Sequence, residues 1–136
     1  MTLKFALLGA GRIGKAHARA IDANTDAELA AIADAVPDAA NALAAQYGCP
    51  IATIDEIEDD TSIDGVIICT PTATHADLIE QFARAGKAIF CEKPIDLDAD
   101  RVRQCLTAVE PDHQARAGLF HHRQALAHTI GVKVDG

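Results

Sequence analysis

The sequence predicts an α/β fold in which one parallel sheet is covered by helices on both faces, the doubly wound arrangement of the Rossmann type. Three observations predict it. Short apolar runs alternate with stretches of helical periodicity through residues 4–109. The glycine pattern GAGRIG, spaced GxGxxG, falls between the first apolar run and the first helical stretch. An acid, Asp34, closes the second run 20 residues after Gly14. Strands that alternate with helices pair in parallel and bury both faces, and right-handed crossovers then favour double winding.

Each element has its own local reason. Residues 4–8 are a short, mainly apolar run that ends at Gly9, which reads as a buried strand. Residues 11–23 read as a helix whose expected core face includes Ile13, Ala16, Ala20 and Ile21. Residues 27–33, AELAAIA, are ambiguous by propensity because alanine dominates, and their place after a helix makes them a strand. Pro37 suits the first turn of a helix that runs to Tyr47, with Gly48 just past its end. Residues 51–54 are expected as a short strand and 55–58 as a single turn. Residues 65–69, GVIIC, are the clearest strand in the chain. Residues 74–85 read as a helix, with Thr74 and Asp77 resembling a capping box and Gly86 closing it. A strand at 88–91 and a helix at 98–109 complete the alternation. Residues 118–120 could form one more short strand.

Length and charge narrow the class. The chain has 136 residues, enough for one domain with a real core. Lys and Arg number 12 against 20 Asp and Glu, a formal charge of −8. That balance argues against nucleic acid and anionic membranes as partners, since both recruit basic surfaces. No apolar run approaches the roughly 20 residues that span a bilayer, and the first residues break at glycines instead of forming a signal sequence. Cys49, Cys69, Cys91 and Cys105 form no CxxC pair and read as reduced residues of a cytoplasmic protein. His113, His121, His122 and His128 lack the spacing of a metal site and read as part of an irregular tail; no metal is expected.

The glycine loop carries the first chemistry. Gly9 would make the tight turn, Gly11 would let the backbone approach a pyrophosphate, and Gly14 would let helix and strand pack closely. The amides around Arg12 and Ile13, at the start of the helix, favour an anion. The alternative is a glycine turn with no ligand. Asp34 strengthens the dinucleotide reading, because an acid there accepts hydrogen bonds from the adenosine ribose and repels a 2′-phosphate. No arginine follows it in ADAVPDAA, so NAD is favoured over NADP. The plainer alternative has Asp34 capping a turn before Pro37. Further along, Thr70, Pro71 and Thr72 would sit at the carboxyl edge of the sheet, where this architecture places ligands. His75 follows them and reads as structural, with proximity to the cofactor as the alternative. Glu92, Lys93 and Pro94 occupy the same edge after the next strand, either as a turn or as part of a site.

Taken together, GAGRIGKAHA, the acid in AIADA, and DGVIICTPTATHADLIEQFARAGKAIFCEKPIDLD in that order resemble the glucose–fructose oxidoreductase and inositol 2-dehydrogenase family (Gfo/Idh/MocA) over residues 3–109. The look is closest to the inositol 2-dehydrogenase branch. The resemblance implies a Rossmann domain that binds NAD(P) and a second α/β domain, with a large open sheet, that binds a polyol or sugar. The implied reaction oxidises a secondary alcohol to a ketone by hydride transfer. The family's EKP lysine maps onto Lys93, beside the nicotinamide and in contact with the substrate hydroxyl. Glu92 would orient the loop or the cofactor.

Several expectations follow from these readings. The dinucleotide-binding domain should occupy residues 1–120, with 121–136 as an irregular tail. The family's second domain, and the acid–base histidine it carries, have no counterpart in this sequence. The chain alone is therefore expected to bind cofactor without full activity, and a homo-oligomer is expected to cover the flank that the second domain would pack against. A non-catalytic NAD-sensing or assembly module is the alternative function. A rigid site turn is expected to use a cis Lys93–Pro94 bond, which proline makes only mildly unfavourable, by about 0.5–1 kcal/mol.

Overall fold

The computed structural model describes residues 1–109. Four strands, β1 (Leu3–Leu8), β2 (Ala27–Ala33), β3 (Gly65–Ile68) and β4 (Ala88–Cys91), form one parallel sheet in the order β2-β1-β3-β4. Five α-helices cover it: α1 (Arg12–Asp22), α2 (Pro37–Tyr47), α3 (Ile54–Asp59), α4 (His75–Arg84) and α5 (Ala99–Val109). The chain winds outward from β1 to β2, then returns across β1 to β3 and β4. The winding direction therefore reverses between β1 and β3, the crevice in which this architecture receives ligands.

Strand alternation sorts the core into two layers. Leu3, Phe5 and Leu7 of β1 meet Ala18 and Ile21 of α1 and Leu43 of α2 on one face. Ala6 and Leu8 meet Ile57 of α3, Ile79 and Phe82 of α4 and Cys105 of α5 on the other. Fully buried side chains such as Leu7, Ile67 and Phe82 each contribute about 1.5–3 kcal/mol. Strict alternation would put Leu29 and Ile32 on opposite faces of β2, yet both join the first layer. A register shift between Phe5 and Ala6, paired with Leu29 and Ala31, leaves Ala30 as an extra residue and restores them to one side.

Most expected elements form, and the departures have local causes. Gly48 closes α2 with φ 67°, and Gly86 follows α4 with φ 75°. Residues 51–54 do not make a strand: Ile51 forms a single parallel bridge to Ile32. The helix α3 begins at Ile54 because Thr53 and Glu56 make a complete capping box. The Glu56 amide donates to Thr53 Oγ1 at 3.1 Å, and the Thr53 amide donates to Glu56 Oε2 at 2.7 Å. The capping box expected at Thr74 is absent. Residues Thr72–Thr74 form a 3-10 turn, and Thr74 adopts φ −96° and ψ −14°, helical angles that do not suit a capping residue.

The buried face of α1 also differs from expectation. Gly14, Ala18 and Ile21 are buried, whereas Ile13 is 49% exposed and Ala16 and Ala20 face solvent. Helical spacing permits both stripes, and the close approach of Gly14 to the end of β1 selects the one that runs through it. The possible strand at 118–120, the boundary at residue 120 and the four histidines beyond it lie outside the described residues.

Candidate functional site

Parallel strands put their carboxyl ends at one edge of the sheet, and the loops leaving β1, β3 and β4 meet there. Gly9 leaves β1 with φ 101°, a conformation that an L side chain rarely adopts. A Cβ on Gly9 would come within 2.5 Å of the Cys69 carbonyl oxygen, so the β1 loop passes against the end of β3 without room for a side chain. A Cβ on Gly14 would overlap the Gly9 carbonyl oxygen, which is why α1 comes so near β1. Gly11 differs from both. It precedes α1 with an ordinary φ of −75°, and a Cβ there would meet nothing within 4 Å. Open space above a helix start is what a pyrophosphate needs, because the first-turn amides lack intrahelical acceptors. Arg12 and Ile13 are exposed beside it, and no acid stands in the first turn of α1 to compete with an anion.

Asp34 stands just past β2 and serves the loop from the side. Its Oδ2 accepts from the Ala10 amide at 2.6 Å, and its Oδ1 accepts from the Val36 amide at 2.7 Å. The turn-capping role is thus real. It is compatible with ribose binding, because each carboxylate oxygen can accept more than one hydrogen bond.

The loop after β3 is internally braced. Thr74 Oγ1 donates to the Pro71 carbonyl at 2.7 Å, so the 2.6 Å contact between the Thr70 and Thr74 hydroxyls is a donation from Thr70. This brace replaces the expected helix cap. Thr72 lies half-buried in the 3-10 turn. His75 is only 2% exposed, and its ring lies between two carbonyl oxygens. Nε2 is 2.7 Å from the Thr70 oxygen and Nδ1 is 2.8 Å from the Pro94 oxygen.

The turn after β4 is the third wall. The Glu92 amide continues the ladder by donating to the Ile68 carbonyl at 3.0 Å. The Lys93–Pro94 peptide is cis, as expected. Lys93 is exposed, and its amide donates to Glu92 Oε2 at 3.3 Å. Glu92 Oε1 accepts from His17 Nε2 of α1 at 2.6 Å, and the His17 ring packs against Phe90 with centroids 5.0 Å apart.

His17 was not singled out by the sequence reading, although it lies within GAGRIGKAHA. The signal was available. His17 sits on the helix stripe of Gly14, Ala18 and Ile21, and a histidine facing the sheet needs a polar partner.

Burial disfavours the thiolate form of the cysteines near this edge. Burial, assisted by the charge of Glu92, pushes the Cys69 thiol up to about 12. Burial, with Cys105 and Glu92 adding to it, does the same to Cys91. All four cysteines are free thiols. Among the described residues, no group of three or more His, Cys, Asp and Glu could hold a metal ion. Among the same residues, no helix is long and apolar enough to cross a membrane.

Comparison with known proteins agrees with this geometry. Residues 3–119 match the profile of the Gfo/Idh/MocA oxidoreductases, described as an oxidoreductase family with an NAD-binding Rossmann fold. An inositol 2-dehydrogenase from Rhizobium meliloti (strain 1021) is 60% identical over 133 residues, which cover 98% of this chain and 40% of that protein. A solved myo-inositol dehydrogenase from Corynebacterium glutamicum ATCC 13032 superposes with a TM-score of 0.75 at 45% identity, over 80% of this chain and 33% of that one. A scyllo-inositol dehydrogenase from Lactobacillus casei, solved with NAD(H) and scyllo-inositol, gives a TM-score of 0.74 at 31% identity, again over 80% and 33%. This chain therefore spans well under half the length of these relatives.

Proposed function

The chain belongs to the Gfo/Idh/MocA oxidoreductases and is an NAD-binding domain of that family, and from this premise we propose that it serves the oxidation of a ring hydroxyl of an inositol or a closely related polyol. The similarity to inositol dehydrogenases supports the substrate class. One observation carries the reading. The glycine cradle and the Glu92–Lys93 turn share one sheet edge and are tied together directly, because His17 on the cradle's own helix is bonded to Glu92.

The residues present fit a dinucleotide. The space above Gly11 and the first-turn amides of α1, including those of Arg12 and Ile13, would hold the pyrophosphate. Asp34 would accept from the adenosine ribose hydroxyls while keeping its bond to the Ala10 amide. Val36, 58% exposed and fastened to Asp34 through its amide, offers apolar surface for the adenine. Thr70, Pro71 and Thr72 line the approach to the nicotinamide end, with His75 packed behind them. Bound NAD would accept the hydride from the substrate carbon. Lys93 would hydrogen-bond to the substrate hydroxyl and help withdraw its proton. Glu92, held by His17 and bonded to the Lys93 amide, would orient that turn.

In this reading residues 1–120 supply cofactor binding and the lysine, while the polyol is held by a second domain of the kind the family resemblance implies. The 136-residue chain then binds NADH and does not oxidise inositol at a measurable rate. Asp34 favours NAD over NADP, since no arginine stands in residues 35–40 to neutralise a 2′-phosphate. A hydrogen bond to a charged group contributes about 1.5–3 kcal/mol, so NADH should bind on the order of ten- to a hundredfold tighter than NADPH. Fluorescence titration with both nucleotides tests this. Equal affinity, or a preference for NADPH, refutes the assignment, and Asp34→Ala should narrow the gap.

A further inference from the structure

We infer that His75 is a positioning residue for Lys93: its imidazole lies between the carbonyl of Pro94, one residue beyond the lysine, and the carbonyl of Thr70 in the loop after β3, and its Nδ1–H holds the former. The inference rests on the function proposed above, in which Lys93 faces the substrate hydroxyl. It adds a residue that touches neither substrate nor cofactor.

The argument begins with how little else holds the turn. The last ladder bond of β4 is the one from the Glu92 amide to Ile68. The Lys93 amide bonds only to its neighbour Glu92, and Pro94 has no N–H. The Asp98 amide bonds locally to Asp96. Among the hydrogen bonds of the described residues, the one that ties the backbone of residues 93–97 to another part of the fold is the one from His75 to Pro94. Ile95 adds apolar packing against the second core layer. The His17–Glu92 pair fastens the turn from the α1 face of the sheet, and His75 fastens it from the α4 face.

Chemistry distinguishes this from ordinary core filling. A histidine that merely fills space needs a partner for one N–H. Here both ring nitrogens meet acceptors, 2.8 Å and 2.7 Å away, that belong to two different loops of the site. Each arm requires an N–H on the ring. Either neutral tautomer therefore fastens one loop, and the doubly protonated ring fastens both. With both nitrogens facing carbonyl oxygens and the residue 2% exposed, the ring presents no nitrogen to a cofactor directly.

Two substitutions separate the arms. The amide nitrogen of Asn overlays Nδ1, so His75→Asn retains the Pro94 arm. The amide nitrogen of Gln overlays Nε2, so His75→Gln retains the Thr70 arm. The readout is amide NMR of the 136-residue chain during NADH titration, with thermal melting of each variant alongside. In the unmodified chain, NADH shifts both the Gly11 and the Lys93 amides. In His75→Gln the Gly11 response persists and the Lys93 response is lost, while His75→Asn retains both. A Lys93 response in His75→Gln equal to that of the unmodified chain overturns the inference. So does equal loss of both responses, with equal fall in melting temperature, in Asn and Gln variants, because the ring then only packs. If the Gly11 amide of the unmodified chain ignores NADH, the cofactor reading itself falls, and this inference goes with it.

Discussion

Three glycines lie within six residues, and the same substitution at each should fail in a different way. Consider Gly14→Ala. In an exposed helix the change would stabilise by about 1 kcal/mol, since alanine is the better helix former. Here the new methyl would overlap the Gly9 carbonyl oxygen, a backbone atom that cannot rotate aside. Gly9 is itself pinned by the hydrogen bond its amide donates to the Ala33 carbonyl at 2.8 Å and by its closeness to Cys69. Relief must come from α1 moving away from β1, which loosens Ala18 and Ile21 in the first core layer. Overpacking of this kind costs about 1–3 kcal/mol. With no side chain able to yield, the upper end applies, and the net loss is about 2 kcal/mol. For a domain of this size that lowers Tm by roughly 10 °C.

Gly11→Ala makes the contrast. Its methyl would meet nothing within 4 Å, so the apo chain loses no more than about 1 kcal/mol for the poorer helix cap. The same methyl would occupy the space a pyrophosphate needs, and NADH affinity should fall sharply. Gly9→Ala combines a positive φ with a close backbone neighbour and should be the least stable of the three. Thermal melting and NADH titration of the three variants check the scheme. A Gly14→Ala chain that melts like the unmodified one would show that α1 does not bear on Gly9. A Gly11→Ala chain that binds NADH unchanged would remove the cradle from the site.

Arg101 joins α5 to α4 through Glu80 and Asp77, and its hydrogen bond is the chief reason the Glu80 carboxyl lies below its ordinary value of 4.5. The stabilisation is therefore fully present above that value and is lost as pH falls through the lowered one. Arg101→Ala should lower Tm at neutral pH and converge with the unmodified chain in strong acid; a gap of constant size across that range would sink the idea. Thiol labelling gives a second check: with Cys69 and Cys91 pushed up to about 12, iodoacetamide in mildly alkaline buffer should leave both unmodified until the chain unfolds. Labelling of Cys91 in the native chain at the unfolded rate, read by peptide mass spectrometry, would contradict the burial described above.

What was legible in the sequence was whatever one element decides by itself. Short apolar runs, one ending at Gly9 and the other opening on Gly65, became β1 and β3 because buried strands need no alternation. Pro37 and Gly48 bracketed α2 because each suits one end of a helix and not its interior. The glycine spacing made the turn at Gly9 and the close packing at Gly14 legible because both are backbone roles. Two similar capping patterns show where such reasoning needs finer chemistry. Thr53 with Glu56 makes the box, and Thr74 with Asp77 does not. Glu carries one more methylene than Asp and reaches back to the capping amide, while Thr74 has helical angles that do not suit a cap and its hydroxyl donates to the Pro71 carbonyl.

The pieces that were not legible all depend on a side chain in one layer meeting the backbone or a side chain of another. In α1 the hydrophobicity of Ile13 pointed to the wrong stripe, since what draws the helix inward is the missing Cβ of Gly14, which a hydropathy pattern cannot register. Once the stripe is set by Gly14, His17 turns inward and must find a partner, and it finds Glu92, 75 residues away. His75 is 19 residues from Pro94 and reaches it across the end of the sheet from the opposite face. Neither separation has a periodicity to betray it. The two histidines nevertheless obey one rule, which is that an inward-facing ring nitrogen goes to an acceptor. At a sheet edge the nearest acceptors not already used by the ladder are those where a strand has just ended. His17, midway along α1, and His75, at the start of α4, therefore converge on the turn after β4, one on the Glu92 carboxylate and the other on the Pro94 carbonyl, because it is where the ladder stops supplying partners.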